Sequence, residues 1–210
     1  MFENLTKTEL YSILTGIFTA SLIISNVIAT KTFKISIFIL PCAIIIFPII
    51  YILDDILAEI YGYIKAKRVI LLGFLMNFIA VVCFNITILM PTPPFFINAE
   101  AYSTVLGSTI RVLVGSILSY LIGSLVNAKI MVILKEKYYN KLFFRCIFST
   151  IIGEGLDAII FISFVFYGTI PLYAILIMIF GQASFKVIYE IILYPITKYI
   201  INFIKALPNN

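Results

Sequence analysis

The sequence predicts an all-α fold, a polytopic membrane protein with six transmembrane helices in one bundle. Three observations carry this reading. Of the 210 residues, 62% are hydrophobic and 12% are charged, against about 45–50% and about 25% in soluble domains. The mean hydropathy is +1.14, which is more apolar surface than a soluble chain of this length can hide. The apolar residues also run in continuous blocks rather than alternating, the pattern of spanning helices and not of barrel strands.

A spanning helix needs about 20 apolar residues to cross a hydrocarbon core about 30 Å thick. Six blocks reach that length: 10–30, 35–63, 69–90, 105–133, 142–167 and 171–204. The first is too long for a cleavable signal, follows the acidic Glu3 and Glu9, and has no small-residue cleavage site after it. The second is interrupted by Pro41 and Pro48, and Lys65, Lys67 and Arg68 separate it from the third. The connection 91–104 (PTPPFFINAEAYST) has no basic residue and leads into the fourth. Lys135, Lys137, Lys141 and Arg145 mark the passage from fourth to fifth, and the uncharged turn 167–171 (YGTIP) leads to the sixth, which contains Pro195 and ends among Lys198 and Lys205. Basic connections stay in the cytoplasm. Both termini are therefore expected there, with 91–104 outside, in a bacterial plasma membrane. Lys31 and Lys34 fall on the outer side against this rule. No linker, low-complexity tract or short repeat divides the chain, so 1–210 is expected to be a single transmembrane domain in contact with lipid.

Composition also removes function classes. The net charge of +5 is modest and its lysines sit in short clusters, so no nucleic-acid partner is expected. There is no histidine, which removes imidazole metal sites, Ser-His-Asp hydrolysis and histidine relays. The three cysteines, Cys42, Cys83 and Cys146, lie in or beside apolar blocks and imply no disulfide framework. Without tryptophan, an interfacial belt must be built from the 13 tyrosines and 19 phenylalanines.

The informative residues are charges at the wrong depth. An ionisable group in a bilayer costs at least about 2.5–3.5 kcal/mol on insertion scales and marks a functional site by default. With a rise of about 1.5 Å per residue, Asp55 lies about 15 Å from Lys65, Asp157 about 18 Å from Arg145 and Lys186 about 18 Å from Lys198. Asp55 and Glu59, Glu154 and Asp157, and Lys186 and Glu190 are each spaced to share one helix face. The pairs are expected to meet around a common cavity, and a proline near such groups frees a backbone carbonyl, a feature of transporter sites. Blander readings stand beside these. Lys186 and Glu190 could form an ion pair within one helix, Asp54 and Asp55 could lie at the inner interface, and Arg111 could snorkel outward. The stripe Ser21, Ser25, Ala29 fits close helix packing, and Asn26 fits an interhelical hydrogen bond.

No GxxxxGK[ST] and no HExxH are present, so neither a P-loop ATPase nor a zincin is expected. GEGLD at 153–157 is not the Gly-x-Gly-Asp of intramembrane aspartyl proteases, although Asp55 with Asp157 could mimic a pair of acids. No repeated pore loop suggests a channel. A carrier or a substrate-binding membrane subunit remains. No enzyme activity, cofactor or metal is expected.

Five segments, in order, resemble one family: SNVIATK (25–31), PIIYILDDILAEIYGY (48–63), RVLVGSILSYLIGSLVN (111–127), GEGLDAIIF (153–161) and FKVIYEIILYP (185–195). They resemble the queuosine precursor transporters of the vitamin uptake transporter group, relatives of the substrate-binding subunits of energy-coupling-factor transporters. The resemblance implies a six-helix importer of 7-deazaguanine bases (preQ0, preQ1 or queuine) for queuosine salvage in tRNA. It implies a substrate site at Asn26, Asp55, Glu59, Arg111, Glu154, Asp157, Lys186 and Glu190, with Gly62, Asn127 and Pro195 also matching the pattern. Ala158 departs from it, standing where the family often has Ser or Thr. The chemistry agrees. A 7-deazaguanine presents adjacent N–H donors that one carboxylate accepts in bidentate fashion, a carbonyl oxygen for Lys186 or Asn26, and a flat ring for aromatic neighbours. Lys31 would then lean toward Asn26 near the site's mouth. The alternative is a vitamin-binding subunit that works with a separate ATPase module. For the importer such a module is not required, and a homo-oligomer stays open.

Overall fold

The computed structural model describes residues 6–28, 31–35, 38–107, 110–168 and 171–208. The chain opens with helix α1 (Lys7–Ile28), seated by a reciprocal cap. The Thr6 amide donates to Glu9 Oε2 at 3.0 Å, and the Glu9 amide donates to Thr6 Oγ1 at 3.3 Å. Strands β1 (Thr32–Ile35) and β2 (Phe38–Pro41) follow as an antiparallel hairpin, with Thr32 opposite Pro41 and Ile35 opposite Phe38. A 3-10 turn, Cys42–Ile45, leads into α2 (Phe47–Ile56), which passes into a π-helical turn, Leu57–Tyr61, and then α3 (Gly62–Leu89). The short α4 (Ala99–Leu106) precedes α5 (Ile110–Lys137), α6 (Leu142–Phe166) and α7 (Leu172–Ala206).

The bundle is helical, as expected, and its second leg differs in detail. Residues 32–41 were expected to lie partly within the helical block 35–63, but they pair as a hairpin. The segment is rich in β-branched and aromatic residues, and an apolar run of this length does not distinguish strand from helix by periodicity alone. Pro48 does not interrupt a helix either. It occupies the first turn of α2, where its missing N–H has no partner to lose. Pro195 does lie inside α7, as expected.

Among the described residues, five helical stretches are long and apolar enough to cross a membrane, and one of them, Phe47–Leu89, has 43 residues. At about 1.5 Å per residue that is roughly twice the hydrocarbon thickness. It folds back at Gly62, whose φ of 77° and ψ of 169° lie where only glycine is unstrained. Contacts fix the direction of each leg. The Cys42 amide donates to the Lys31 carbonyl at 2.8 Å, at the end of α1, and Tyr61 Oη donates to the Lys7 carbonyl at 2.9 Å, at its start. So α2 runs against α1. Tyr11 Oη donates to the Lys65 carbonyl at 3.0 Å, and Gly73 packs against Phe18 and Leu22. So α3 runs with α1. The chain thus makes six legs, and the Lys7 amide donates to the Pro208 carbonyl at 3.2 Å, placing the start of α1 and the end of α7 at one end of the bundle.

The surface is apolar. Ile17, Ile24, Leu75, Phe78, Ile122, Ile151 and Phe180 are among many large exposed hydrophobic residues, as lipid contact requires. The interior mixes an apolar cluster around Phe18, Ile50, Leu57, Ile70 and Met131 with buried polar and charged side chains. Helices α5 and α6 approach most closely. A Cβ on Gly153 would stand 2.6 Å from Asn127 Cβ, and one on Gly123 would stand 2.8 Å from Asp157 Cβ. Small residues allow such contacts in membranes, where dispersion rather than the hydrophobic effect binds helices together.

Candidate functional site

Six acidic side chains are buried among the described residues, Asp54, Asp55, Glu59, Glu154, Asp157 and Glu190, against two cations, Arg145 and Lys186. They sort into three layers along the bundle. The layer nearest the hairpin end is formed by α2, α5, α6 and α7. Lys186 Nζ on α7 donates to Glu154 Oε2 at 2.8 Å and to Asp157 Oδ2, both on α6. The ammonium also stands 5.8 Å from the centre of the Tyr51 ring, a cation–π contact in a desolvated setting. On α2, Asp54 Oδ2 accepts from Ser124 Oγ at 2.9 Å and from Tyr120 Oη at 3.4 Å. Glu154 Oε1 and Asp54 Oδ1 are buried without a hydrogen-bond partner.

The middle layer holds Asp55, Cys146 and Glu190. One ligand atom from each lies within 4.8 Å of the others, and all three residues are buried. Asn127 Nδ2 donates to Asp55 Oδ1 at 3.3 Å. The third layer centres on Glu59, at the π-helical turn. Its carboxylate pairs with Arg145, with Lys205 at 2.7 Å and with Lys135 at 3.4 Å. Its backbone carbonyl accepts from Lys135 Nζ. A π-turn widens the helix and exposes carbonyls that an α-helix would use internally, and here one of them takes a lysine.

The pairs read from spacing are redistributed: Asp55 and Glu59 fall in different layers, and so do Lys186 and Glu190. Glu154, Asp157 and Lys186 come together across α6 and α7, so Lys186 is not confined to a pair with Glu190. Glu190 instead faces Asp55. Asp54 and Asp55 are buried inside the bundle, at 1% exposure each, rather than lying at the interface. Glu59 stands apart, with the cations of the third layer. Asn26 is half-buried on α1 and takes no part in the contacts described for the three layers, and the exposed Lys31 shows no hydrogen bond to it among the described residues. Arg111 lies in the first turn of α5, with its side chain outside the described residues, and so does the side chain of Lys34.

Sequence reasoning missed several partners. Arg145, expected to mark the membrane surface, is 1% exposed and buried against Glu59. Tyr120 and Ser124, with the already noted Asn127, form an i, i+4, i+7 stripe on one face of α5 and line up with Asp54 and Asp55. That periodicity is present in the sequence and would have located them. Tyr51, Cys146, Lys135 and Lys205 carry no comparable local signal.

Comparison with known proteins adds one match. The family model described as "Putative vitamin uptake transporter" matches residues 41–200. No curated protein matches the chain. No solved structure matches it.

Proposed function

The chain belongs to the vitamin uptake transporter family, and from that premise we propose that it imports queuosine precursors, 7-deazaguanine bases, across a bacterial plasma membrane. One observation carries the proposal. The layer of Asp54, Glu154, Asp157 and Lys186 has three carboxylates for one cation, and two of their oxygens are buried without a partner. Each unsatisfied buried acceptor costs about 1–3 kcal/mol, so the layer favours a ligand rich in donors. A 7-deazaguanine edge offers its ring N–H and exocyclic amine side by side, which one carboxylate accepts together. Its carbonyl oxygen suits Lys186, and its ring suits Tyr51 or Tyr120. An aminomethyl arm would add a cation to a region already surplus in acid. Glu59 with Arg145, Lys135 and Lys205 then acts as a lock closing the end of the bundle where α1 starts and α7 ends, for which the basic residues support a cytoplasmic side.

The test is rescue of queuosine. In cells unable to make or import the precursors, expression of this chain alone should restore queuosine in tRNA when a nitrile, aminomethyl or queuine base is supplied. Restoration only when an ATPase module is co-expressed would favour the vitamin-binding subunit of a larger complex. No restoration with any base, from a chain shown to be in the membrane, would remove the substrate assignment.

A further inference from the structure

The middle layer is not accounted for by substrate recognition. Asp55 on α2 and Glu190 on α7 are 1% and 2% exposed. Their carboxylate atoms lie within 4.8 Å of one another and of Cys146 Sγ. Asp55 Oδ2 and Glu190 Oε1 have no hydrogen-bond partner, and neither has Asn127 Oδ1, although the Asn127 amide is held against Asp55. The surrounding groups do not neutralise two negative charges. Asp54 and Glu154 add like charge, Cys146 is neutral as a thiol, and the nearby Arg145 is committed to Glu59. Lys186, one turn along α7 from Glu190, is committed to Glu154 and Asp157. Two ionised carboxylates this close in a desolvated interior repel strongly, and one shared proton both removes the charge and supplies the missing donor.

We propose that Asp55 and Glu190 form a proton-binding pair that couples substrate import to inward proton movement. The position suits coupling. On α2, Asp55 adjoins Asp54 of the substrate layer and is one turn from Glu59 of the lock. On α7, Glu190 is one turn from Lys186. Any movement of α7 against α2 that frees substrate therefore also parts the pair. The proton enters from the outer side with the pair assembled, travels bound between the two carboxyls, and leaves to the inner side when they separate. This rests on the importer reading for its substrate but not for its proton site.

Two measurements on the full chain separate the two. First, infrared spectroscopy of the purified protein should show a protonated-carboxyl C=O band at neutral pH that is lost in Glu190→Gln. The amide of that variant donates to Asp55 in place of the proton and so favours folding. If Glu190→Gln does not fold, Asp55→Asn serves the same purpose. A band absent from the folded wild type, or unchanged in the folded variant, overturns the proton site. Second, in proteoliposomes with labelled aminomethyl 7-deazaguanine, an outward-acid gradient of one pH unit should raise accumulation up to about tenfold for one proton per substrate. In Glu190→Gln, uptake should be the same with and without the gradient. Wild-type accumulation indifferent to the gradient overturns coupling. If the wild type moves none of this base, the substrate reading fails, and the infrared result alone decides the pair.

Discussion

Lys186 is the side chain on which the substrate layer turns, because a buried ammonium holds two carboxylates from another helix. Lys186→Met would leave Glu154 and Asp157 without their cation. Removing one partner of a buried pair costs about 3–5 kcal/mol, whereas removing both is much less costly. We expect Lys186→Met to lower the melting temperature in detergent and Asp157→Asn in the same chain to restore much of it. A double-mutant cycle of Lys186 with Glu190 should show no comparable coupling. Strong coupling there, with none to Asp157, would mean that the ion pair lies within α7. Asp157→Asn alone should reduce uptake roughly 30- to 1000-fold, the loss of a charge-assisted contact of about 2–4 kcal/mol, while the protein still reaches the membrane. These residues were within reach of sequence reasoning because a charge in an apolar helix is conspicuous. Arg145 was not. It stands at a helix end beside lysines, where a surface role and a buried one look alike, and only the approach of the π-turn carrying Glu59 decides between them.

Three glycines test how the helices are built. Gly153 faces Gly123 and Asn127 at the α5–α6 contact, so Gly153→Ala must push the helices apart. It should destabilise by about 1–3 kcal/mol and disturb Asp157, one turn further on. Gly62 has open space around it but a positive φ, so Gly62→Ala should cost about 1–3 kcal/mol through backbone strain alone. Gly155 has neither constraint. Gly155→Ala should be neutral or should stabilise by about 0.5–1 kcal/mol through helix propensity. Thermal melts of the three variants check the order, and a Gly153→Ala as stable as Gly155→Ala would remove the close contact. The same elements show where local pattern failed. Helix type was plain from continuous apolar runs, but the strands 32–35 and 38–41 were hidden because a short apolar run does not separate strand from helix by periodicity. The fold-back at Gly62 was visible as a basic cluster between apolar blocks, whereas the π-turn before it depends on tertiary partners for the Glu59 carbonyl.

Taken whole, the molecule is a six-leg bundle with an apolar exterior and three charged layers inside, the third adjoining the end that carries the start of α1 and the end of α7. We propose from the basic residues that this end faces the cytoplasm. A reporter placed after Lys67 or Lys137 should therefore report cytoplasm, and one near Ala99 the outside. A cytoplasmic signal at Ala99 would overturn the orientation, and with it the direction of every step above. At the same level Glu59→Gln should loosen the lock, since three cations lose their only carboxylate among the described contacts. The buried Cys146, next to Arg145, should then become more accessible to a cytoplasm-side thiol reagent in a chain whose Cys42 and Cys83 are replaced by serine. The central claim is that this chain by itself moves a 7-deazaguanine base through the layer around Asp157. The direct measurement is uptake of labelled aminomethyl 7-deazaguanine by proteoliposomes holding only the purified chain. Uptake well above empty liposomes by the wild type, and nearly absent in Asp157→Asn, is the predicted result. Wild-type uptake no greater than that of empty liposomes, or equal uptake by the two proteins, would contradict it.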